Sequence, residues 1–225
     1  MWRRVNEVFK EFLILNKKRI ITEVAEYYDD KLKVHGATPK GVDWNSLESQ
    51  ELRFVQLLKL ININSSDFSI LDFGCGLGDL LKFIESLKFH TNYQYSGYDI
   101  SEEMISRAKE RNKNFIAEWI SHENILSEYN YAVASGIFNV KQNNETKVWE
   151  AYILETLNQM NELSTDGFAF NMLTSYSDEE YMKDYLYYAD PAFYFDFCKK
   201  NFSQNIALLH DYNLYEFTII VRKHG

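Results

Sequence analysis

Apolar residues near the start of the chain recur at steps of three and four: Val5, Val8, Phe9, Phe12, Leu13, Ile20, Val24, Tyr27 and Tyr28. That rhythm lays one stripe along a helix over Val5 to Leu32, and the polar run Asn16-Lys17-Lys18-Arg19 predicts a break within it. His35-Gly36-Ala37-Thr38-Pro39-Lys40-Gly41 holds two glycines and a proline, which is loop chemistry. A second helix is predicted from about Ser46 to Leu60. Asn45 or Ser46 is its cap, and Leu47, Leu52, Val55 and Leu58 form its apolar face.

From Phe68 the period shortens. Phe68 to Phe73 is an apolar run closed by glycines, the pattern of a buried strand. Asp79 to Leu87 predicts a helix, Tyr93 to Ile100 a strand, and Ser101 to about Asn112 a helix whose first turn carries Glu102 and Glu103, where the helix dipole favours them. Asn114 to Ile116 is a short candidate third strand, Tyr131 to Ser135 a fourth, Thr146 to Leu163 a long helix and Gly167 to Leu173 a fifth strand. Ile206 to His210 and Glu216 to Arg222 are strand-like and so closely spaced that they must run antiparallel. Strands alternating with helices give an α/β fold, doubly wound, with a mostly parallel sheet covered on both faces. Residues 1–65 read as a helical cap packed on a sheet domain of residues 66–225.

Composition narrows the partners. Of 225 residues, 46 % are hydrophobic and 25 % charged, ordinary for a globular domain, and the formal net charge of −9 argues against nucleic acid. The short basic runs Arg3-Arg4 and Lys17-Lys18-Arg19 are each followed closely by acids, which marks a solvated helix face. Cys75 and Cys198 are too few for a disulfide framework. No apolar run reaches the ~18 residues of a membrane span, and the N-terminus lacks a signal-peptide core. The expectation is a cytoplasmic protein without a membrane or nucleic-acid partner. Tyrosine and phenylalanine are abundant, 16 of each, and they crowd into Tyr176 to Phe197.

The chemistry starts where the first strand ends, at Leu71-Asp72-Phe73-Gly74-Cys75-Gly76-Leu77-Gly78. A glycine turn between strand and helix lets a ligand approach the backbone and offers it free N–H groups. The dinucleotide pattern G-x-G-x-x-G would need glycine at position 79, which is Asp79, and a carboxylate there repels pyrophosphate. G-K-[ST] is absent, so the turn is not a P-loop. About twenty residues on, Asp99 closes the next strand, where an acid can accept hydrogen bonds from ribose hydroxyls.

Asp72-Phe73-Gly74-Cys75-Gly76-Leu77-Gly78 resembles the first motif of the class I S-adenosylmethionine-dependent methyltransferases, acid-x-G-x-G-x-G, and Gly97-Tyr98-Asp99-Ile100-Ser101 resembles their second. The resemblance spans roughly Ile70 to Arg222. It implies a Rossmann-like sheet of seven strands with an antiparallel end, S-adenosylmethionine as cofactor, and a loop that cradles its methionine portion. It also implies that Asp72 faces the cofactor amino group, Asp99 the ribose and Ile100 the adenine. Matching the end of the third strand places Glu118 and Trp119 at the adenine, and the fourth strand delivers Ser135 and Gly136 to the cofactor pocket with Asn139 near the acceptor. The motif [DNS]-P-P-[YF], which holds a planar amine in relatives that modify adenine or glutamine, is missing. That lowers the expectation of DNA or protein-amide methylation.

The acceptor side is less specified. His35 and Trp44, in and beside the glycine-rich loop, and the tyrosines from Tyr176 to Tyr194 are candidates to surround a small molecule, with His35 and Asn139 as catalytic candidates and Trp44, Tyr176 and Tyr194 as substrate contacts. His210-Asp211 is a further pair with base chemistry. No His, Cys and Asp cluster has metal-ligand spacing, so no metal is expected. The function expected is methyl transfer to a hydroxyl of a small metabolite. N-methylation of a small amine and a catalytically silent cofactor-binding subunit are the alternatives, and a dinucleotide oxidoreductase is the rival from another class.

Overall fold

The computed structural model describes residues 2–36, 46–62, 67–88, 92–121 and 127–224, with the side chains of residues 2–15 and of residue 35 outside the description. The chain opens with a helix over Trp2–His35 (α1) and a second over Leu47–Leu58 (α2). Among the described residues, seven strands and four further α-helices follow: β1 Asp67–Phe73, α3 Asp79–Leu87, β2 Asn92–Tyr98, α4 Glu102–Arg111, β3 Glu118–Ile120, β4 Tyr129–Ala134, α5 Thr146–Leu163, β5 Ser164–Leu173, α6 Pro191–Asn201, β6 Asn205–Leu209 and β7 Glu216–Arg222. The sheet order is β3-β2-β1-β4-β5-β7-β6. Strands β1 to β5 pair in parallel, and β7 runs antiparallel to both β5 and β6. This is the fold class the element pattern predicts.

Strand alternation divides the core in two. Ala132 and Ala134 of β4, Phe168 and Phe170 of β5 and Phe217, Ile219 and Val221 of β7 face one layer, with Trp149 and Leu157 of α5 and Ile20 and Val24 of α1. Tyr131, Val133, Ala169 and Ile220 face the other, with Phe54 and Leu57 of α2 and Leu80, Leu81 and Ile84 of α3. Central strands covered on both faces therefore read as nearly continuous apolar runs.

The structure departs from the predicted elements in three respects. The first helix runs unbroken through Asn16 to Arg19, because those polar residues find partners along its length: Lys17 meets Glu155 at 2.9 Å and Arg19 meets Asn144 at 3.1 Å. The third strand lies at Glu118–Ile120 rather than at Asn114 to Ile116, since the chain leaving α4 is still turning, with the Phe115 N–H donating to the Asn112 carbonyl at 2.9 Å. Helix α2 is capped as predicted, the Ser46 Oγ accepting the Ser49 N–H, but its buried face is rotated. Leu47 and Val55 are exposed, while Gln50, Arg53, Phe54 and Leu57 are buried.

Strand order reverses between β1 and β4, since the chain steps outward through β2 and β3 before returning to the far side of β1. The crevice at the carboxyl ends of those two strands is where α/β sheets hold ligands.

Candidate active site

The loop after β1 turns back over the end of β2. The Gly74 and Cys75 N–H groups both donate to the Tyr98 carbonyl, at 2.7 and 2.8 Å. Gly74 has φ +82, and a Cβ there would collide with Ile137. Gly78 (φ +73) caps α3, and a Cβ would stand 2.5 Å from the Trp119 ring. Side chains at these positions are excluded by backbone angle and by space.

Asp99 fastens the second turn to the first. Its Oδ2 accepts the Gly76 N–H at 2.8 Å and its Oδ1 the Ser101 N–H at 2.9 Å. Burial pushes its carboxyl up to about 6, against the lowering effect of those donors. Asp72, at the end of β1, is 3 % exposed and accepts the Tyr95 hydroxyl at 2.6 Å. Burial, opposed by the Tyr95 bond and aided by repulsion from Asp99 and Asp79, raises it to about 7. The Cys75 thiol is buried beside both carboxylates and pushed well up, so it is an inert wall group.

A cavity of about 510 Å³ opens on this loop. Asp72, Gly74, Cys75, Gly76, Asp99 and Ile100 line its inner half, and Ser135, Gly136 and Asn139 line it from the end of β4. The first helix covers it through Val24 and Tyr28, and Asp29 one residue on accepts the Ser101 Oγ at 2.5 Å. The Ser135 Oγ is buried without a hydrogen-bond partner, a polar atom that protein groups leave unsatisfied.

The outer half is built by the segment after β5. Tyr181, Tyr185 and Tyr188 line it with Tyr215. The segment is stitched to the loop after β4: the Tyr187 N–H donates to the Asn139 carbonyl at 2.8 Å, and the Gln142 N–H to the Tyr185 carbonyl at 2.9 Å. Asn139 is the hub of that junction, its Oδ1 also accepting the Leu173 N–H at 3.1 Å. Trp149 braces the same loop from beneath, its Nε1 donating to the Phe138 carbonyl at 2.9 Å.

Several expected contacts fall elsewhere. Trp119 packs its ring against Gly78 and Gly97 and meets Tyr95 edge-on, and Glu118 accepts the Ser96 Oγ at 2.8 Å; neither lines the cavity. Tyr194 is fully buried, its hydroxyl 3.1 Å from that of Tyr187 in the core beneath α6. Tyr176 is 73 % exposed beside His210, and both lie off the cavity wall. The right segment thus offers different tyrosines. The side chain of His35 and the whole of Trp44 lie outside the described residues.

Arg53, Gln50 and Glu216 line the cavity without having stood out in the sequence. Arg53 donates through Nε and Nη2 to the two Glu216 oxygens at 2.6 and 2.7 Å, a buried bidentate pair. The available signal was Gln50 and Arg53, three residues apart and in step with Phe54 and Leu57 on one helix face. No group of three or more His, Cys, Asp or Glu positioned for a metal occurs among the described residues, and no described helix is long and apolar enough to cross a membrane.

A methyltransferase-domain family model matches residues 64–189. A Mycobacterium tuberculosis protein provisionally named a methyltransferase (Rv1506c) is 49 % identical over 163 residues, which cover 72 % of this chain and 97 % of that protein. Among solved structures, magnesium protoporphyrin IX methyltransferase from Synechocystis with bound S-adenosylhomocysteine superposes with a TM-score of 0.61 at 13 % identity, over 90 % of this chain and 99 % of that one. The N-methyltransferase NodS from Bradyrhizobium japonicum, also with bound S-adenosylhomocysteine, gives a TM-score of 0.57 at 14 % identity, over 88 % and 97 %. With the glycine loop, the acid at the end of β2 and the strand order in place, the chain belongs to the class I S-adenosylmethionine-dependent methyltransferases.

Proposed function

We propose that this enzyme methylates an oxygen atom of a small polar metabolite, such as a sugar or a natural-product intermediate, and that the inner half of the cavity holds the cofactor. The observation that carries this reading is the continuous cavity running from the glycine loop past Asn139 to the tyrosine segment. Its ~500 Å³ scale is that of a small-molecule site.

The inner wall fits S-adenosylmethionine. Its carboxylates Asp72 and Asp99 suit an ammonium and a sulfonium and would repel a phosphate, while Asp79 is paired with Arg111 at 3.1 Å. Asp72 would pair with the amino group. Each Asp99 oxygen already takes one backbone N–H and has a second lone pair for a ribose hydroxyl. Ile100 gives adenine an apolar contact, and Ser135 and Gly136 border it from the end of β4.

Bound S-adenosylmethionine supplies a methyl group on a positively charged sulfur, with a neutral thioether as leaving group. The protein has to align the acceptor and exclude water. Tyr28 and Val24 of α1 close the inner half, and the tyrosines present ring faces and hydroxyls to a ring-bearing or hydroxylated acceptor. Asn139 favours oxygen over nitrogen. Its Oδ1 must face the Leu173 N–H, which leaves Nδ2 as the donor toward the cavity. An acceptor oxygen has one lone pair for that N–H and another for the methyl carbon, whereas an amine nitrogen has a single pair for both tasks.

The test is transfer of label from tritiated S-adenosylmethionine to a bacterial metabolite extract, followed by isolation of the product. Label in a methoxy or methyl ester group is the expected result. Label on nitrogen would overturn the choice of atom, and tight S-adenosylhomocysteine binding without transfer would favour a silent subunit.

A further inference from the structure

A chain of polar contacts crosses the molecule under the acceptor half of the cavity. Arg53 of α2 holds both oxygens of Glu216, at the start of β7. Glu216 Oε2 also accepts the Asn171 Nδ2 of β5 at 3.1 Å, and Asn171 Oδ1 accepts the backbone N–H of Gly136 at 2.7 Å. Three side chains, from α2 and from the paired strands β7 and β5, thus end on one peptide group in the loop after β4. All three are buried, Arg53 at 6 % exposure, Glu216 at 2 % and Asn171 at 0 %.

We infer that Arg53, Glu216 and Asn171 are positioning residues: they fix the peptide of Gly136, and so the loop that carries Ser135 and Asn139, relative to the acceptor wall. The inference rests on the reading above that this loop borders the reacting groups. Three observations favour positioning over plain stability. A buried ion pair stabilises a fold about as well as apolar residues of the same shape, so stability alone gives little reason for one in this core. Arg53 and Glu216 line the cavity, and the chain they start ends on the loop beside it. Gly136 has φ +75, so its peptide orientation is set by whatever holds its N–H, and Asn171 is that partner. Glu216 is also poorly placed as a general base: three donor contacts take three of the roughly four lone-pair sites on its two oxygens, and the Arg53 fork fixes the carboxylate in place.

The experiment uses the full-length protein with Asn171→Leu, Glu216→Gln and the double variant Arg53→Met/Glu216→Leu. The double variant replaces the whole pair by apolar groups, which the fold is expected to tolerate. Three quantities are read: S-adenosylhomocysteine affinity by calorimetry, hydrogen exchange of the Gly136 amide by NMR in that complex, and the label-transfer rate against extract concentration. The expected result is Gly136 exchange at least tenfold faster and a plateau rate at least tenfold lower at an unchanged half-saturating extract concentration, with the measured affinity used to keep every variant saturated with cofactor. A double variant that keeps wild-type Gly136 protection and plateau rate would overturn the inference. So would a rise in half-saturation at an unchanged plateau, which would make the pair an acceptor-binding element. If the wild type transfers no label, the proposed function fails while Gly136 exchange still decides the positioning role.

Discussion

Asp99 and Gly76 show how much of the site one contact can carry. The Asp99 carboxylate bonds the Gly76 N–H and the Ser101 N–H, so it shapes the glycine loop as well as presenting lone pairs to the cavity. Asp99→Ala is expected to weaken S-adenosylhomocysteine binding by about 1–3 kcal/mol, the cost of leaving polar partners unpaired. Calorimetry with unchanged affinity would refute its place at the ribose. Gly76 has φ +51, a left-handed conformation that a β-branched residue tolerates poorly. Gly76→Val is expected to abolish binding while far-UV circular dichroism stays native, because the strain is confined to the loop. Normal binding by that variant would place the cofactor elsewhere. That Asp72, Gly74 and Asp99 meet at one cavity was legible in the sequence, since a strand–glycine–helix junction and an acid at the next strand end are local patterns. The packing of Trp119 against Gly78 and Gly97 was not legible, for the opposite reason. Which face of a three-residue edge strand a side chain takes depends on register with β2, and that is a tertiary fact.

At the scale of elements, α1 and α2 show where periodicity succeeds and where it fails. The three- and four-residue rhythm identified both helices, but it took Leu47 and Val55 for the buried side of α2 and a polar run for a break in α1. A hydropathy stripe treats a charge as solvent-facing, and it has no means of seeing that Glu216, 163 residues away, makes burial of Arg53 tolerable. The tyrosine segment repeats the lesson: its composition pointed to the cavity, while the choice of Tyr181, Tyr185 and Tyr188 over Tyr176 and Tyr194 follows from backbone bonds to Asn139 and Gln142. Helix α4 offers a test at this scale. The Ser101 Oγ accepts the Met104 N–H at 3.0 Å as its N-cap and donates to Asp29 of α1. Ser101→Ala removes both contacts and is expected to cost about 1–2 kcal/mol of stability. Denaturant unfolding reads it directly, and a loss below about 0.5 kcal/mol would show that the cap and the tie to α1 contribute little.

For the whole molecule, the buried carboxylates couple folding, cofactor and pH. The Asp72 carboxyl stands at about 7 and that of Asp99 at about 6, both against an ordinary 3.8, with burial the main cause in each. Between pH 4 and 7 the folded chain therefore holds protons that the unfolded chain has released. A raised carboxyl pKa contributes stability that is present below the unfolded value and lost as pH rises through the folded one. The free enzyme is expected to lose stability from about pH 4 up to about pH 6 through Asp99, and on to about pH 7 through Asp72. A tenfold change in a protonation equilibrium corresponds to about 1.4 kcal/mol, so the loss is large enough for denaturant unfolding to follow. A cofactor ammonium beside Asp72 reverses this, because it binds the ionised carboxylate. S-adenosylhomocysteine affinity should rise with pH up to about 7, and binding near pH 6.5 should release a proton, seen as a binding enthalpy that changes with the ionisation heat of the buffer. Asp72→Asn separates the two effects: it removes the Asp72 part of the pH-dependent loss in the free protein and abolishes proton release on binding. Proton release that persists in Asp72→Asn would assign the linkage to Asp99 and move the ammonium away from Asp72.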